Sequence, residues 1–154
     1  MQDYLKAVVA GRPGANRLFD FLNVRLASAA DGRSEIIMPV SFDLAQGGGL
    51  VAGGILATLA DEAMAHAVMT LLAPGADIVT IEMNIRYLRA VNPSDPVNIV
   101  SIGNVLKNGR RVVSAESRVS DSGGRLLAVA GGSFQVITKE SPTPDTLSTG
   151  GKVG

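Results

Sequence analysis

From Gly53 to about Leu72 the chain contains no proline and is rich in Ala, Leu and Met, residues that lose little on entering an α-helix. Its apolar positions, Ile55, Leu56, Leu59, Ala60, Ala63, Met64, Ala67, Val68 and Leu71, cover more than one helical face. A helix of this kind must be enclosed, not merely laid on a core. Asp61, Glu62 and His66 interrupt the run, which favours a buried helix of a globular protein over a membrane span. Pro74 and Gly75 are expected to end it. Whatever encloses this helix must come from the rest of a 154-residue chain, enough for one core and too little for two ordinary domains.

The flanking segments supply a sheet. Residues 2 to 10 and 15 to 22 carry apolar groups at helical spacing and are separated by Gly11-Arg12-Pro13-Gly14, so two short N-terminal helices are expected. Segments 23 to 30 and 33 to 40 meet at Asp31-Gly32, a dipeptide suited to a tight hairpin turn. After the long helix, Val79, Ile81, Met83, Ile85 and Tyr87 alternate with Thr80, Glu82, Asn84 and Arg86, the pattern of a half-buried strand with two distinct faces. Three more strands, at about 97 to 107, 111 to 120 and 125 to 137, are linked by turns at Asn108-Gly109 and Asp121 to Gly124. The expected order is a hairpin, one long helix, then a four-strand meander. About six antiparallel strands and one apolar helix are accommodated if the sheet curls round the helix, an α+β architecture. Ala60, Ala63 and Ala67 would permit close approach, and Gly131 and Gly132 would serve the same contact or mark a bulge. Residues 1 to 137 are assigned to this single domain. Residues 138 to 154, rich in Pro, Ser, Thr and Gly, are expected to form a flexible tail.

Composition removes several functions. Fourteen basic and fourteen acidic side chains cancel, leaving no global field to draw the protein onto nucleic acid or an anionic membrane. The chain has no cysteine, which excludes disulfides, thiolate catalysis and cysteine-based zinc sites, and its one histidine weakens other metal readings. No metal and no separate cofactor are expected. The first residues do not form a secretory signal, and a cytoplasmic location is expected.

Chemistry concentrates where the glycine-rich loop from Gln46 runs into the long helix. The first amides of a helix lack intrahelical acceptors and lie at the positive end of the helix dipole. Gly53 and Gly54 place no side chain in front of them, as an oxyanion hole requires. Two turns further on, Asp61 is an acid among small apolar groups, costly there unless paired, hydrated or in a pocket, and otherwise at an exposed edge of the helix. The glycines do not form a nucleotide fingerprint, since no P-loop Lys-Ser/Thr and no parallel βαβ unit accompanies them. His66 lies about 140° round the helix from Asp61 and cannot pair with it as an acid–base couple. A packed or ion-paired role beside Glu62, four residues earlier, suits it better.

Ala52-Gly53-Gly54, then Leu59-Ala60-Asp61, then Glu82-Met83-Asn84-Ile85-Arg86-Tyr87 resembles the hotdog acyl-CoA thioesterases of the phenylacetate-degradation, 4-hydroxybenzoyl-CoA thioesterase-like type. The likeness extends over about residues 35 to 137. It implies a hotdog fold, hydrolysis of an acyl-CoA in which coenzyme A belongs to the substrate, and a homodimer or dimer-of-dimers tetramer in which one subunit's helix end faces its neighbour's acid. Carried over by position, Asp61 matches the catalytic carboxylate, acting as general base or as nucleophile. Gly53 matches the residue whose amide polarises the thioester carbonyl, with Gly54 and Ala52 beside it. Thr80 falls where relatives have a Ser or Thr near the attacking water, and Gln46 where many have Asn.

Two positions depart from that pattern. Residue 52 is Ala where His is usual, and Gln46 is one methylene longer than Asn. They support an alternative, a hotdog domain that binds an acyl-CoA without cleaving it. Arg86, Arg89, Lys107, Arg110 and Arg111 are candidates for the CoA phosphates, Arg86 and Arg89 foremost because they flank Tyr87. Met64, Met83, Tyr87 and Ala57 either line the acyl pocket or belong to the core; the acyl group itself is not legible.

Overall fold

A computed structural model describes residues 1–138. Its elements are α1 (Gln2–Val9), α2 (Arg17–Leu22), β1 (Arg25–Ala30), β2 (Arg33–Pro39), α3 (Gly53–Met69), β3 (Ala76–Tyr87), β4 (Asn98–Asn108), β5 (Val112–Asp121) and β6 (Leu126–Thr138), with a 3-10 turn over Phe42–Leu44. The six strands form one antiparallel sheet in the order β1-β2-β4-β5-β6-β3. This is the hotdog arrangement, with the sheet wrapped round α3. The tail expected from 138 onward begins one residue too early, because Thr138 closes β6; residues 139–154 lie outside the described residues. Among the described residues no helix is long and apolar enough to cross a membrane.

The β1–β2 hairpin turns as expected, with Asp31 and Gly32 both at positive φ (49° and 76°), the twist that lets two strands leave antiparallel. Three expectations need correction. The long helix ends at Met69, with Thr70 as its C-cap, and Pro74-Gly75 lie in the turn beyond. The meander holds only for β4, β5 and β6. β3 lies on the far side of β6, so the connection from Leu88 to Val97 carries the chain past the intervening strands. Hairpin signals mark local pairing, and none marks this crossover.

Nor is the alternation in β3 continuous. Thr80 pairs with Phe134 and Glu82 with Ser133, so Ile81 is an extra residue. The bulge switches the phase of the strand. Thr80 bonds Asp61 of α3 and Tyr87 bonds Gly53 of α3, whereas Glu82 accepts from Ser133 on the outer side. Val79 and Ile81, expected to share a face with Met83 and Ile85, are instead exposed on an edge strand.

Helix α3 is seated by its backbone. A Cβ built on Gly103 of β4 would lie 2.2 Å from the Ala63 carbonyl oxygen, so only glycine admits the helix at that height. Ser34 Oγ donates to the same oxygen at 2.6 Å. Leu59, Ala60, Ala63, Met64 and Ala67 are buried there, which settles Met64 as core. Gly132 is a milder close approach, its missing Cβ falling 3.2 Å from Met64 Cε, whereas Gly131 faces the outer side near Asn84.

The N-terminal helices cover the remaining side of α3 through a directed chain of hydrogen bonds. Asn16 caps α2, accepting from the Leu18 and Phe19 amides, and donates through Nδ2 to Tyr4 Oη at 3.0 Å. Tyr4 Oη meets His66 Nε2 at 3.1 Å, and His66 Nδ1 donates to the Glu62 carbonyl at 2.7 Å. A carbonyl can only accept, so Nδ1 carries the proton and Nε2 accepts from Tyr4, a neutral ring satisfied at both nitrogens. Burial lowers the His66 pKa, consistent with that form, and Tyr4 and Phe19 pack against the ring. His66 thus has the packed role expected, beside Glu62. The Glu62 carboxyl is pushed up to about 7 by burial and then by the neighbouring Asp61, partly opposed by a hydrogen bond from Asn16.

Gly103→Ala is expected to lose about 3 kcal/mol or more of unfolding free energy in denaturant titrations. Gly131→Ala, with no contact closer than 3.6 Å, should be neutral or slightly stabilising. Equal losses at the two sites would show that the Ala63 contact does not seat the helix. For Glu62 the folded state retains a proton between the ordinary 4.5 and about 7 that the unfolded chain has lost. Its contribution to stability is therefore greatest below pH 4.5 and fades as pH rises through 7. Glu62→Gln should melt higher than wild type at pH 8, with the gap narrowing toward pH 4.5; a gap that does not depend on pH would contradict this.

Candidate active site

The loop before α3 is closed by its own backbone. Gln46 N donates to Leu50 O and Gly49 N to Gln46 O, with Gly49 at φ 80°. Val51 N then bonds Val91 O and Ala52 N bonds Leu44 O, fixing where the helix begins. Ala52 is the N-cap, and it has no side chain able to cap the helix. The Ile55 amide turns back to Ala52 O, but among the described residues no acceptor meets the Gly53 or Gly54 N–H. Two donors are thus left open at the positive end of a 17-residue helix.

The glycines differ in their reasons. A Cβ on Gly53 would fall 3.2 Å from the Tyr87 ring, whereas one on Gly54 would meet nothing within 4 Å. Beside this helix end lies a cavity of about 320 Å3, lined among others by Gln46, Leu50, Leu56, Tyr87, Leu88 and Arg89. Its walls are mostly apolar, with Gln46, Tyr87 and Arg89 as the polar side chains among them.

Asp61 and Thr80 come together, Thr80 Oγ1 donating to Asp61 Oδ1 at 3.1 Å. The Asp61 pKa is raised by burial and partly held down by that bond. Such a carboxylate is a better base than an exposed one, because part of its hydration has been replaced by a single donor. Gly53 and Asp61 are eight residues apart, so about 12 Å separates them along the helix axis. They do not share one reaction centre within a chain.

The other sequence candidates are distributed unevenly. Gln46 borders the cavity, but its Oε1 accepts from Gly48 N and closes its own loop. Arg89 is also at the cavity, its Nη1 donating to Leu126 O at 2.8 Å. Arg86 is on the outer side of β3, beside Asn84 and Glu116, away from the helix. Lys107 is the penultimate residue of β4, and Arg110 and Arg111 lie in the β4–β5 turn. Sequence reasoning missed the Tyr87 hydroxyl, which donates to Gly53 O at 3.0 Å, and the Asn16-Tyr4-His66 chain. Asn16 before the first apolar turn of α2 is an N-cap signal that could have been used.

Comparison with known proteins gives this arrangement a family. The model of the thioesterase superfamily matches residues 48–128, from the glycine loop into β6. A protein of Saccharolobus solfataricus named "Putative esterase" is 30% identical over 137 residues, covering 89% of this chain and 95% of its own. A conserved protein of Pseudomonas aeruginosa superposes with a TM-score of 0.73 at 30% identity, over 79% of this chain and 94% of that one. A hypothetical thioesterase protein of Streptococcus pneumoniae, solved with coenzyme A, gives 0.69 at 25% identity, with coverage of 79% and 94%. Fold, motif and relatives agree: the chain belongs to the thioesterase superfamily.

Proposed function

We propose that the protein hydrolyses an acyl-CoA thioester, and the observation that carries this is the pair of open amides at the start of α3, Gly53 and Gly54, the first of which lines a mostly apolar cavity. A thioester carbonyl set against them gains its hydrogen bonds as negative charge develops on oxygen, the condition under which such donors accelerate acyl transfer. Asp61 takes a proton from water while the water oxygen bonds to the carbonyl carbon. The tetrahedral intermediate then collapses, the C–S bond breaks, and the proton held by Asp61 passes to the departing CoA sulfur. Thr80 orients the Asp61 carboxylate throughout. Coenzyme A is half of the substrate, and no further cofactor enters.

The 12 Å interval along α3 supports a dimer in which the helix end of one copy meets Asp61 of the other. Val79 and Ile81, exposed on the open edge of β3, support association along that edge. Arg89, at the cavity, suits an anionic part of the CoA better than Arg86 on the outer side. The relative solved with coenzyme A supports that ligand class. A second reading, binding without cleavage, is favoured by two observations: Ala52 offers no imidazole, and Gln46 Oε1 is taken up by Gly48 N.

Thiol release from short, medium, long and aryl acyl-CoAs separates the two. Asp61→Asn is expected to lower kcat/KM at least ~100-fold with folding and oligomer intact by light scattering. Tight binding without turnover, equal in both proteins, would establish the second reading. A pH series adds an independent check. Asp61 must be ionised to accept a proton, so activity should fall on the acid side with a midpoint above the ordinary 3.8. Thr80→Val removes the bond that stabilises the carboxylate and should move that acid limb to higher pH. A limb that stays put or moves down would rule out Asp61 as the titrating base.

A further inference from the structure

Tyr87 touches the helix end in two ways. Its hydroxyl donates to Gly53 O at 3.0 Å, and its ring lies so close to Gly53 that a Cβ there would sit 3.2 Å from Cζ and 3.3 Å from Cε1. The oxygen it binds belongs to the peptide unit whose N–H is that of Gly54. In a planar trans peptide these two groups point in opposite directions. Holding the oxygen toward Tyr87 therefore aims the Gly54 N–H the other way, out of a helical turn that offers it no acceptor. A hydrogen bond to a carbonyl also polarises the N–H of the same amide, making it a stronger donor.

We propose that Tyr87 is a positioning residue that acts through the Gly53–Gly54 peptide to make Gly54 N–H a second oxyanion donor, an inference that rests on the hydrolase reading above. The bulge at Ile81 is part of the device, because it brings Tyr87 to the helix side of β3 together with Thr80. β3 thereby supports two parts of the chemistry, Thr80 on the Asp61 carboxylate and Tyr87 on the oxyanion donors, which serve different centres of the proposed dimer. A tyrosine there for packing alone would need only its ring.

The test is Tyr87→Phe in the full-length protein, which keeps the ring and removes the hydroxyl. Against the best acyl-CoA of the panel, kcat is expected to fall ~10-fold with KM within about twofold, since the contact acts mainly in the transition state. The acid limb of the pH profile, which reports Asp61, should not move. In 15N-labelled protein the Gly54 amide resonance should shift upfield in both dimensions when the hydrogen bond to its peptide is removed. Wild-type kcat in Tyr87→Phe would overturn the proposal, and so would a rise in KM alone, which would place the hydroxyl on the substrate. If wild type and Asp61→Asn are equally inert on every thioester, the hydrolase reading fails. In that case an unmoved Gly54 resonance overturns the positioning contact, and a shifted one retains it.

Discussion

The contact between the Ala63 backbone and Gly103 sets the height of α3 above the sheet, and most of the molecule depends on that height. With the helix carbonyl resting where a side chain would otherwise stand, the sheet closes round α3 closely enough for Ala60 and Ala67 to be fully buried. Ser34 bonds the same carbonyl, so the seat is polar as well as tight. Close packing of this kind is stiff, and it transmits position along a rigid helix. Gly53 at one end and Asp61 in the middle inherit their places from it.

A second constraint holds the helix from the opposite side. His66 is fully buried, yet both ring nitrogens have partners, and the direction of each bond is dictated by the groups that can only accept. The chain begins at Asn16, whose amide also caps α2, so helix capping and core satisfaction share one side chain. Polar groups inside a protein are tolerated on such terms. Glu62 is the incompletely matched member, half-buried beside Asp61 and drawn toward its neutral form.

Much of this was legible in the sequence, and the remainder was hidden for physical reasons. The Asp31-Gly32 turn and the enclosed helix announce themselves because both depend on local backbone preference and composition. The crossing of β3 to the far side of β6 does not, since pairing between distant strands leaves no local mark. The phase switch at Ile81 is invisible for a related reason: Val79 and Met83, two residues to either side, are apolar like Ile81, so the hydrophobic pattern reads as unbroken alternation. Gly103 looks like any strand glycine until the helix lies above it. Within the site, the helix-end amides follow from glycines at a helix start, and Asp61 stands out as an acid among apolar groups. Its approach to Thr80 came only through family likeness. Tyr87 read as one more member of a strand pattern, because a hydroxyl's partner depends on what packs above the strand.

The extra residue in β3 also determines how this chain can change length over evolutionary time. Insertions in the turn through Gly109, Arg110 and Arg111 would extend a surface loop and leave pairing on either side intact. Loss or gain of one residue near Ile81 has no such freedom. It would rotate half the strand by one pleat, turning either Thr80 or the pair Met83 and Tyr87 away from the helix. Descendants of this sequence can therefore drift in the identity of residue 81, which is exposed, while the count of residues between Thr80 and Tyr87 stays fixed. At that point of the chain, selection acts on arithmetic before it acts on side chains.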